Sequence, residues 1–553
     1  MQTTGTIYCP LCNDKVDKLL YRYHIDSERQ VIERIKAQNP TWAEQDGICS
    51  RCVDYYHISV VMEQRLLPEI GPHFPVRNVD DFVILPTPLR VDTHPRYTGK
   101  GITICFIDSG FYLHPDLVGY KNRIREIVDI NNTSQPAIYF TQPHPESWHG
   151  TMTSVVCAGD GYMSNGLYKG IASDADLVLL KVQDAAGNIP TSNIIKALQW
   201  VLQHHHRHNI RIVNISLSGD EVISYKESEI DILTEKLEEA GITVVAAVGN
   251  DENGSIKPPA NGLHVITVGG IDDENNVGAP VAKLYHSTYG NTTDGLLKPE
   301  LTTQAIWIAA PILPGTEEHA EATALYELAA TATENLQRAF EALTGCIQFG
   351  QPVSASNDVT YLYNSIRQRI TTAKYISPHY MHVDGTSFAA PIVSAVVAQL
   401  LEANPSLTPA MIRQVLFSTA RRINHLPPER QGFGQVQPRK ALVSVSKRKH
   451  IKIPAETPCV NSQKNTITFY LYNEFAQQVS LAGSFNGWTP DVLLLEPGAD
   501  GIWSIEIPLL PAGRYSYKFF TDDRKWIEDA GNPWREPDGF NAFNSLLIIE
   551  PGN

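Results

Sequence analysis

The sequence has no uninterrupted run of 18 apolar residues, although 42% of its 553 residues are hydrophobic. A membrane-spanning helix needs about 20 predominantly apolar residues. The stretch 1–9 (MQTTGTIYC) also lacks the basic and then apolar pattern of a secretory signal. We therefore expect a cytoplasmic protein with no membrane partner.

Basic residues are outnumbered, because 45 lysine and arginine side chains stand against 60 aspartates and glutamates. The net charge of −15 repels polyanions, so we expect no nucleic-acid partner. The short basic stretch 447–450 (KRKH) lies where the composition changes, and it is typical of a solvated linker.

Cysteine is scarce and unevenly spaced. Four of the eight cysteines form two CxxC pairs that are 36 residues apart: Cys9, Cys12, Cys49 and Cys52. Four thiolates complete a tetrahedral Zn²⁺ shell, and the Ile32, Ile35 spacing between the pairs indicates a helix. A redox dithiol is the alternative, although such a centre usually has one CxxC at a strand-to-helix turn. We predict a structural zinc module over 1–60.

One segment, 385–391 (GTSFAAP), places the hydroxyl of Ser387 at the start of an apolar run that extends to Leu401. At a helix N-terminus, free N–H groups and the helix dipole favour negative charge beside such a hydroxyl. Pro391 is expected in the first helical turn, where an N–H is not needed. The segment predicts either a nucleophile or a capping serine.

Two further segments carry an acid and a base. Asp108 ends the strand-like run 102–108 (ITICFID), and open α/β sheets place their chemistry at the carboxyl ends of strands. His149 opens a small-residue helical segment, 149–154 (HGTMTS), from which its ring can point back into the same crevice.

Apolar strand-like runs alternate with helical spacing from residue 99 onward. The runs are 102–107, 177–182, 210–217, 242–248 and 265–268, and the helical spacing falls at 193–205 and 225–240. Such alternation predicts an α/β fold with a doubly wound parallel sheet.

The order Asp108, His149, Ser387, with each residue in a glycine-flanked turn, resembles the subtilases, the subtilisin-type serine endopeptidases, over 99–446. The resemblance implies a multidomain protein with a subtilisin-like α/β domain. It assigns Ser387 as nucleophile, His149 as general base and Asp108 as the residue that orients the imidazole.

The resemblance also assigns supporting positions. Asn250, at the end of 244–250 (VVAAVGN), would donate its side-chain amide to the oxyanion. Four residues would pair with bound peptide: Ser216, Leu217, Ser218 and Gly219, of which Ser218 replaces a glycine of the family pattern. Asp116 matches a calcium-ligand position, so Ca²⁺ is a candidate cofactor, although no complete ligand set is evident.

Two stretches depart from the subtilase pattern. Residues 61–98 are expected to form an extended linker, which either lies across the active-site cleft or serves as a simple tether; we favour the tether. Residues 315–380 are expected to form a helical insertion, with one long helix over 317–343 and a second over 358–371. Either a rim that shapes substrate access or a docking surface is consistent with this insertion.

After a linker over 447–463, short alternating strands predict a β-sandwich over 464–553. Motifs such as 483–488 (GSFNGW) closely resemble the glycogen-binding domain of the AMP-activated kinase β subunit, in carbohydrate-binding module family 48. The resemblance implies sugar contacts by five residues: Trp488, Lys518, Trp526, Phe540 and Asn544. One position differs, since Ala542 replaces a hydroxyl residue. A sandwich used only for protein contacts is the alternative.

Taken together, these patterns predict a serine endopeptidase that is localised to glycogen or a related α-glucan. The alternative is a glucan-binding scaffold whose protease domain is latent or vestigial. An enzyme that acts on the glucan itself is disfavoured, because the sandwich offers no evident pair of catalytic carboxylates.

Overall fold

The structure is a computed structural model, and it describes residues 9–10, 29–43, 46–48, 52, 56, 84–276, 282–349, 359–447, 457–473, 476–498 and 501–550. The α-helices of these residues are α1 (Arg29–Gln38), α2 (Thr87–Arg90), α3 (Pro115–Val118), α4 (Ser147–Ala158), α5 (Thr191–His208), α6 (Glu229–Glu239), α7 (Glu317–Ala330), α8 (Leu336–Leu343), α9 (Val359–Thr372), α10 (Thr386–Ala403), α11 (Pro409–Thr419) and α12 (Pro438–Lys447).

The strands fall into two groups along the chain. The first group is β1 (Thr103–Asp108), β2 (Ile124–Asp129), β3 (Asp176–Lys181), β4 (Ile210–Ile215), β5 (Thr243–Ala247), β6 (Ile266–Asp272), β7 (Lys283–Leu284), β8 (Gly290–Asn291), β9 (Leu297–Lys298), β10 (Leu301–Gln304), β11 (Ile308–Pro311), β12 (Tyr375–Ser377) and β13 (Tyr380–Val383). The second group is β14 (Cys459–Asn461), β15 (Thr466–Tyr472), β16 (Val479–Gly483), β17 (Leu493–Leu494), β18 (Glu496–Pro497), β19 (Ile502–Pro508), β20 (Gly513–Thr521), β21 (Trp526–Ile527), β22 (Arg535–Pro537) and β23 (Phe543–Ile549).

The predicted parallel sheet is present, with strand order β10-β6-β5-β4-β1-β3-β2 and the short β7 antiparallel on β6. Helices cover both faces of the sheet. One apolar layer joins the sheet to α4 and α10, and the other joins it to α5 and α6. Every residue of β1 is buried. Helices on both faces of the sheet bury such strands completely, so their sequences are nearly continuous apolar runs.

Helix α10 is the centre of the first layer, since every residue from Phe388 to Leu401 is buried. Among the described helices, it is also the one that is long and apolar enough to cross a membrane by length and composition. Its burial accounts for that composition. Pro391 lies inside the helix rather than in its first turn, because the helix already begins at Thr386.

The predicted linker over 61–98 is described only from Ile84 onward, and that part is packed against the α/β domain. Arg90 is buried, and its guanidinium pairs with Asp273 and donates to the carbonyl oxygens of Ile306 and Trp307. The linker prediction was wrong for 84–98, because a buried ion pair fixes this stretch.

The helical insertion over 315–380 is present and has its own apolar core. The predicted long helix over 317–343 is two helices, α7 and α8, since α7 ends at Ala330 and a 3₁₀ turn occupies Thr333–Asn335. Helix α9 matches the second predicted helix within one residue at each end. The hairpin β12–β13 then returns the chain to the body of the protein.

The carboxyl-terminal domain is the predicted sandwich of two antiparallel sheets, ordered β14-β15-β19-β18 and β17-β16-β20-β23-β22, with β21 on β20. Its apolar core lies between the two sheets. Strand β14 lies within the predicted linker over 447–463, so the domain begins earlier than expected, and residues 448–456 lie outside the described residues.

The sandwich is docked on the α/β domain. Arg422 forms a two-pronged ion pair with Glu528, at 2.6 and 3.2 Å. Arg535, which is buried, lies 4.1 Å from the ring centre of Phe433 and donates to the carbonyl oxygen of Leu297 at 3.2 Å. These contacts hold the two domains together beyond the covalent connection.

We expect Arg422→Ala to lower the free energy of unfolding of the full-length protein by about 2 kcal/mol, because it leaves the largely buried Glu528 carboxylate without its partner. Urea denaturation followed by circular dichroism measures this change. The control is Arg514→Ala, which removes an exposed ion pair with Glu536 and is expected to cost under about 1 kcal/mol. Equal effects of the two substitutions would contradict a stabilising domain contact.

Candidate active site

The predicted acid and base are in contact. Asp108 ends β1, His149 lies in the first turn of α4, and His149 Nδ1 is 2.6 Å from Asp108 Oδ1. The backbone N–H of Ser109 donates to the same carboxylate oxygen, and the hydroxyl of Thr153 donates to the other at 3.0 Å. Thr153, four residues after His149 on the same helix face, is a functional position that the sequence reading missed.

Two opposing effects set the pKa of His149. Burial by itself lowers the pKa, but the charge of Asp108 and the hydrogen bond to it outweigh burial, so the net shift is upward from 6.5. The aromatic rings of Trp148 and Phe388 lie 5.3 and 6.0 Å from the imidazole, measured between ring centres. Asp108 therefore orients the imidazole through the hydrogen bond, and the rings of Trp148 and Phe388 lie beside it.

The side chain of Asn250 is oriented by the turn that precedes Ser387. Its Oδ1 accepts from the backbone N–H of Thr386 at 2.8 Å and from the Thr386 hydroxyl at 2.9 Å. The Nδ2 group, the donor of the amide, therefore points away from these contacts.

The turn that carries Ser387 is fixed by a buried polar chain. Ser394 donates to Asn214 Oδ1 at 2.9 Å, Asn214 Nδ2 donates to Ser216 Oγ at 3.1 Å, and Ser216 Oγ donates to the carbonyl oxygen of Ser387 at 2.9 Å. In a regular helix the N–H four residues later would bind that carbonyl, but Pro391 has none. The hydroxyl of Ser216 replaces the missing donor.

The predicted peptide-binding residues follow β4 and lie beside Ser387. The hydroxyl of Ser387 donates to the carbonyl oxygen of Ser216 at 3.4 Å, so the two segments are in contact. Leu217 is half-buried, Ser218 is exposed, and the N–H of Gly219 donates to the carbonyl oxygen of Pro258. The exposed Ser218 side chain lies where the subtilase pattern has a glycine.

The predicted sugar-contacting residues meet on the outer face of the second sheet of the sandwich. The Trp488 and Trp526 rings are 6.0 Å apart in an edge-on arrangement, and Trp526 is 44% exposed. On β20, Lys518 and Phe520 lie on the face opposite the core residues Tyr517 and Phe519, and the Phe520 ring packs on Trp526 at 4.9 Å. On β23, Asn544 alternates with the buried Phe543 and Ser545, which places it on the same face.

A loop beside this face is organised by Asp538. The carboxylate accepts from the backbone N–H groups of Phe540 and Ala542, and it pairs with Lys518 Nζ at 2.5 Å. Burial alone would raise the pKa of Asp538, but these hydrogen bonds give a net lowering. Lys518 is only 6% exposed, whereas the ring of Phe540 is 89% exposed. Phe540 therefore projects from the loop, and Lys518 supports it.

Of the four predicted zinc ligands, Cys9 and Cys52 are described and buried, and Cys12 and Cys49 lie outside the described residues. The Sγ atoms of Cys9 and Cys52 are 3.8 Å apart. Two thiolates at about 2.3 Å from one tetrahedral zinc ion are separated by about that distance. The described pair therefore fits a shared ion.

Asp116 does not fit a calcium ligand in this structure. Its two carboxylate oxygens accept hydrogen bonds from the Tyr380 hydroxyl and from the backbone N–H of Met163. The Arg123 guanidinium, which is also buried, donates to the Asp116 carbonyl oxygen at 2.8 Å. A cation here would face donors and a positive charge rather than oxygen ligands.

Comparison with protein families places residues 99–434 in the Subtilase family and residues 457–535 in carbohydrate-binding module 48, described as the isoamylase N-terminal domain. The first span is more than half of the chain, so the protein belongs to the Subtilase family of peptidases. Its second span is a carbohydrate-binding module 48 domain, and this span ends before Phe540 and Asn544.

The chain is similar to the serine protease AprX of Bacillus subtilis, with 28% identity over 350 residues, 61% of this chain and 65% of that protein. Subtilisin-like protease 3 of Pseudogymnoascus destructans is 27% identical over 293 residues, 52% of this chain and 62% of that protein. The chain therefore spans less than two thirds of the length of these relatives. Fervidolysin from Fervidobacterium pennivorans, a keratinolytic enzyme related to subtilisin, aligns with a TM-score of 0.44 and 19% identity over 77% of this chain and 53% of its own.

The Asp108 contact gives a testable pH dependence. A general base must be neutral to accept a proton, so with His149 in that role kcat/KM for peptide hydrolysis should rise with pH through a pKa above 6.5. We expect Asp108→Asn to lower this activity by about 10⁴-fold and to move its acid limb to lower pH, because the carboxylate no longer stabilises the imidazolium. Asp491→Asn, an exposed aspartate of the sandwich, is the control. An acid limb that stays in place in Asp108→Asn would contradict the assignment.

Proposed function

We propose that the protein is a serine endopeptidase that hydrolyses peptide bonds through Asp108, His149 and Ser387. The hydrogen bond between Asp108 and His149, beside a nucleophile turn at the start of a buried helix, is the observation that carries this proposal. Ser387 attacks the peptide carbonyl while His149 accepts its proton. His149 then delivers that proton to the leaving amine.

Transition-state stabilisation is assigned to Asn250 Nδ2 and the backbone N–H of Ser387. Both donors are held in advance: Asn250 by Thr386, and the turn by the Ser216 hydroxyl. Donors that need no reorientation during the reaction contribute the most to stabilising the oxyanion, and one such donor is worth about 10²–10³ in kcat. In the structure the Ser387 hydroxyl donates to the carbonyl oxygen of Ser216. Catalytic hydrogen bonds are often long or poorly aligned without substrate and tighten when it binds, so this contact is consistent with an active enzyme.

We further propose that the sandwich holds the protease on glycogen or a related α-glucan. Sugar rings stack on aromatic faces, and the exposed Trp526 beside Trp488 offers such a surface. Asn544 lies on the same face of the sheet, and the exposed Phe540 ring projects from the loop whose Asp538 pairs with Lys518. The sandwich is packed against the other domain, so it is not an anchor on a flexible linker. Trp526 also lines a cleft of about 720 Å³ between the sandwich and helices α11 and α12.

The docked position of the sandwich fixes where a bound glucan would lie relative to the protease domain. Asn541, next to Phe540, donates to the carbonyl oxygen of Asn424 in the protease domain at 3.1 Å. A glucan bound at this loop is therefore held at a set distance from the protease, and glucan-associated proteins are the substrates that such an arrangement favours. A cytoplasmic setting stays a prediction.

One sedimentation experiment tests both halves of the proposal. We expect the full-length protein to pellet with glycogen and to carry peptidase activity into the pellet, whereas Ser387→Ala pellets without activity. Trp488→Ala and Trp526→Ala should remain in the supernatant and stay active, since stacking on one aromatic ring contributes an estimated ~1–3 kcal/mol. Trp200→Phe, in α5 of the protease domain, is the matched control and should pellet.

Two results would contradict it. Pelleting of both tryptophan variants would remove the glucan assignment of that face. Absence of hydrolysis by the wild-type protein, with pelleting intact, would favour a glucan-binding scaffold over a peptidase.

We propose that Cys9, Cys12, Cys49 and Cys52 hold one structural zinc ion. The buried pair Cys9 and Cys52, with its Sγ separation of 3.8 Å, supports this proposal. Such an ion would have no open coordination position, so it would stabilise the amino-terminal module and take no part in catalysis.

We expect one zinc ion per chain by plasma mass spectrometry of the purified full-length protein. Cys12→Ser and Cys49→Ser should each lower the zinc content to near zero, because a structural site requires all four thiolates. Cys346→Ser, which changes an exposed cysteine of the insertion, should leave the content at one. Retention of zinc by Cys12→Ser or Cys49→Ser would contradict the four-cysteine site.

A further inference from the structure

Tyr380, on strand β13 at the end of the 315–380 insertion, reaches into the protease domain. It is 1% exposed, and its hydroxyl donates to Asp116 Oδ2 at 2.5 Å. Its ring packs 5.1 Å from the ring of Tyr168 and joins a small apolar cluster with Ile84 and Ala309. The insertion is therefore attached to the domain through a buried polar contact inside an apolar patch.

Asp116 is satisfied without a metal. It is fully buried, and its second carboxylate oxygen accepts from the N–H of Met163 at 2.8 Å. Its own N–H donates to His114 Nδ1, and its carbonyl oxygen accepts from Arg123. Each oxygen thus faces a donor, whereas calcium requires six to eight oxygen ligands that converge on the ion.

The turn that carries Asp116 supports the catalytic residues. It lies eight residues after Asp108, and the intervening Tyr112 donates its N–H to Thr151 Oγ1, on the helix that carries His149. The Leu113 N–H is bound by the carbonyl oxygen of Phe140. The segment 108–116 begins at the Asp108 and His149 pair and ends at Asp116. A contact that fixes Asp116 therefore fixes the end of this segment that lies away from the pair.

We infer that Tyr380 takes the place of a calcium ion at Asp116, so that the insertion, rather than a metal, fixes the turn behind the catalytic aspartate. The tyrosine hydroxyl supplies the interaction with the carboxylate, and the Arg123 guanidinium supplies the positive charge. This role of the insertion stands whether or not the protein hydrolyses peptides, because it concerns the stability of the turn.

The test uses the full-length protein and follows its melting temperature, Tm, in calcium-stripped buffer and after millimolar calcium chloride is added. The protein is dialysed against buffer that has been passed over a chelating resin, so that calcium carried through purification is removed before the first measurement. We expect calcium to shift the Tm of the wild-type protein by no more than it shifts that of Asp116→Asn. We also expect Tyr380→Phe to lower the Tm by about 5 °C under both conditions, through loss of a buried hydrogen bond to a carboxylate.

Tyr361→Phe is the matched control, because Tyr361 belongs to the same insertion and is 47% exposed. It should leave the Tm within about 1 °C of the wild-type value. Two results would overturn the inference. The first is a calcium-dependent rise in Tm that Asp116→Asn abolishes, and the second is a Tm of Tyr380→Phe equal to that of Tyr361→Phe.

Discussion

Burial of helix α10 is the constraint on which the rest of the structure depends. Its residues from Phe388 to Leu401 are enclosed by the sheet, by α4 and by α12, so the helix cannot shift without opening the largest apolar core of the protein. Its first turn carries Ser387, and the donor that the Pro391 ring removes is replaced by Ser216. Ser387 is thus positioned by packing at one end of the helix and by a polar chain beside it.

Hydrogen bonds on either side of β10 connect the turn around Ser387 to the carbohydrate-binding module 48 domain. Arg535 of the sandwich donates to the carbonyl oxygen of Leu297, one residue before the Lys298-Pro299 segment that leads into β10. Immediately after β10, the carbonyl oxygen of Ala305 accepts from the N–H of Gly385, two residues before the nucleophile. The carbohydrate-binding module 48 domain is therefore a packed part of the enzyme, and its position relative to Ser387 is defined.

Short motifs predicted the contact between Asp108 and His149 correctly, because the local backbone requires the small residues beside them. Gly150 illustrates this, since a Cβ there would lie 2.3 Å from the carbonyl oxygen of Gly110. Other features had no local signal. Edge strand β2 (IREIVD) carries charges within its alternation, and Thr153 became identifiable only once α4 placed it beside Asp108.

Domain docking could not be predicted, because nothing in the sequence distinguishes Arg422, Arg535 and Glu528 from ordinary surface residues. In the fold Arg535 is buried, and the paired side chains of Arg422 and Glu528 are 21% and 10% exposed. The pairing of Lys518 with Asp538 was missed for a similar reason, since the two residues are 20 positions apart in the chain. The break between α7 and α8 falls in a stretch rich in threonine, 331–335 (TATEN), whose branched side chains weaken a helix only modestly.

The central claim is that Ser387 is a nucleophile activated by His149, and covalent labelling by a fluorophosphonate probe tests it most directly. The account predicts that the purified full-length protein becomes labelled at Ser387, that Ser387→Ala is not labelled, and that Asp108→Asn is labelled far more slowly. Failure of the wild-type protein to react, with and without glycogen, would contradict the account. Labelling of Ser387→Ala to the same extent as wild type would contradict it equally.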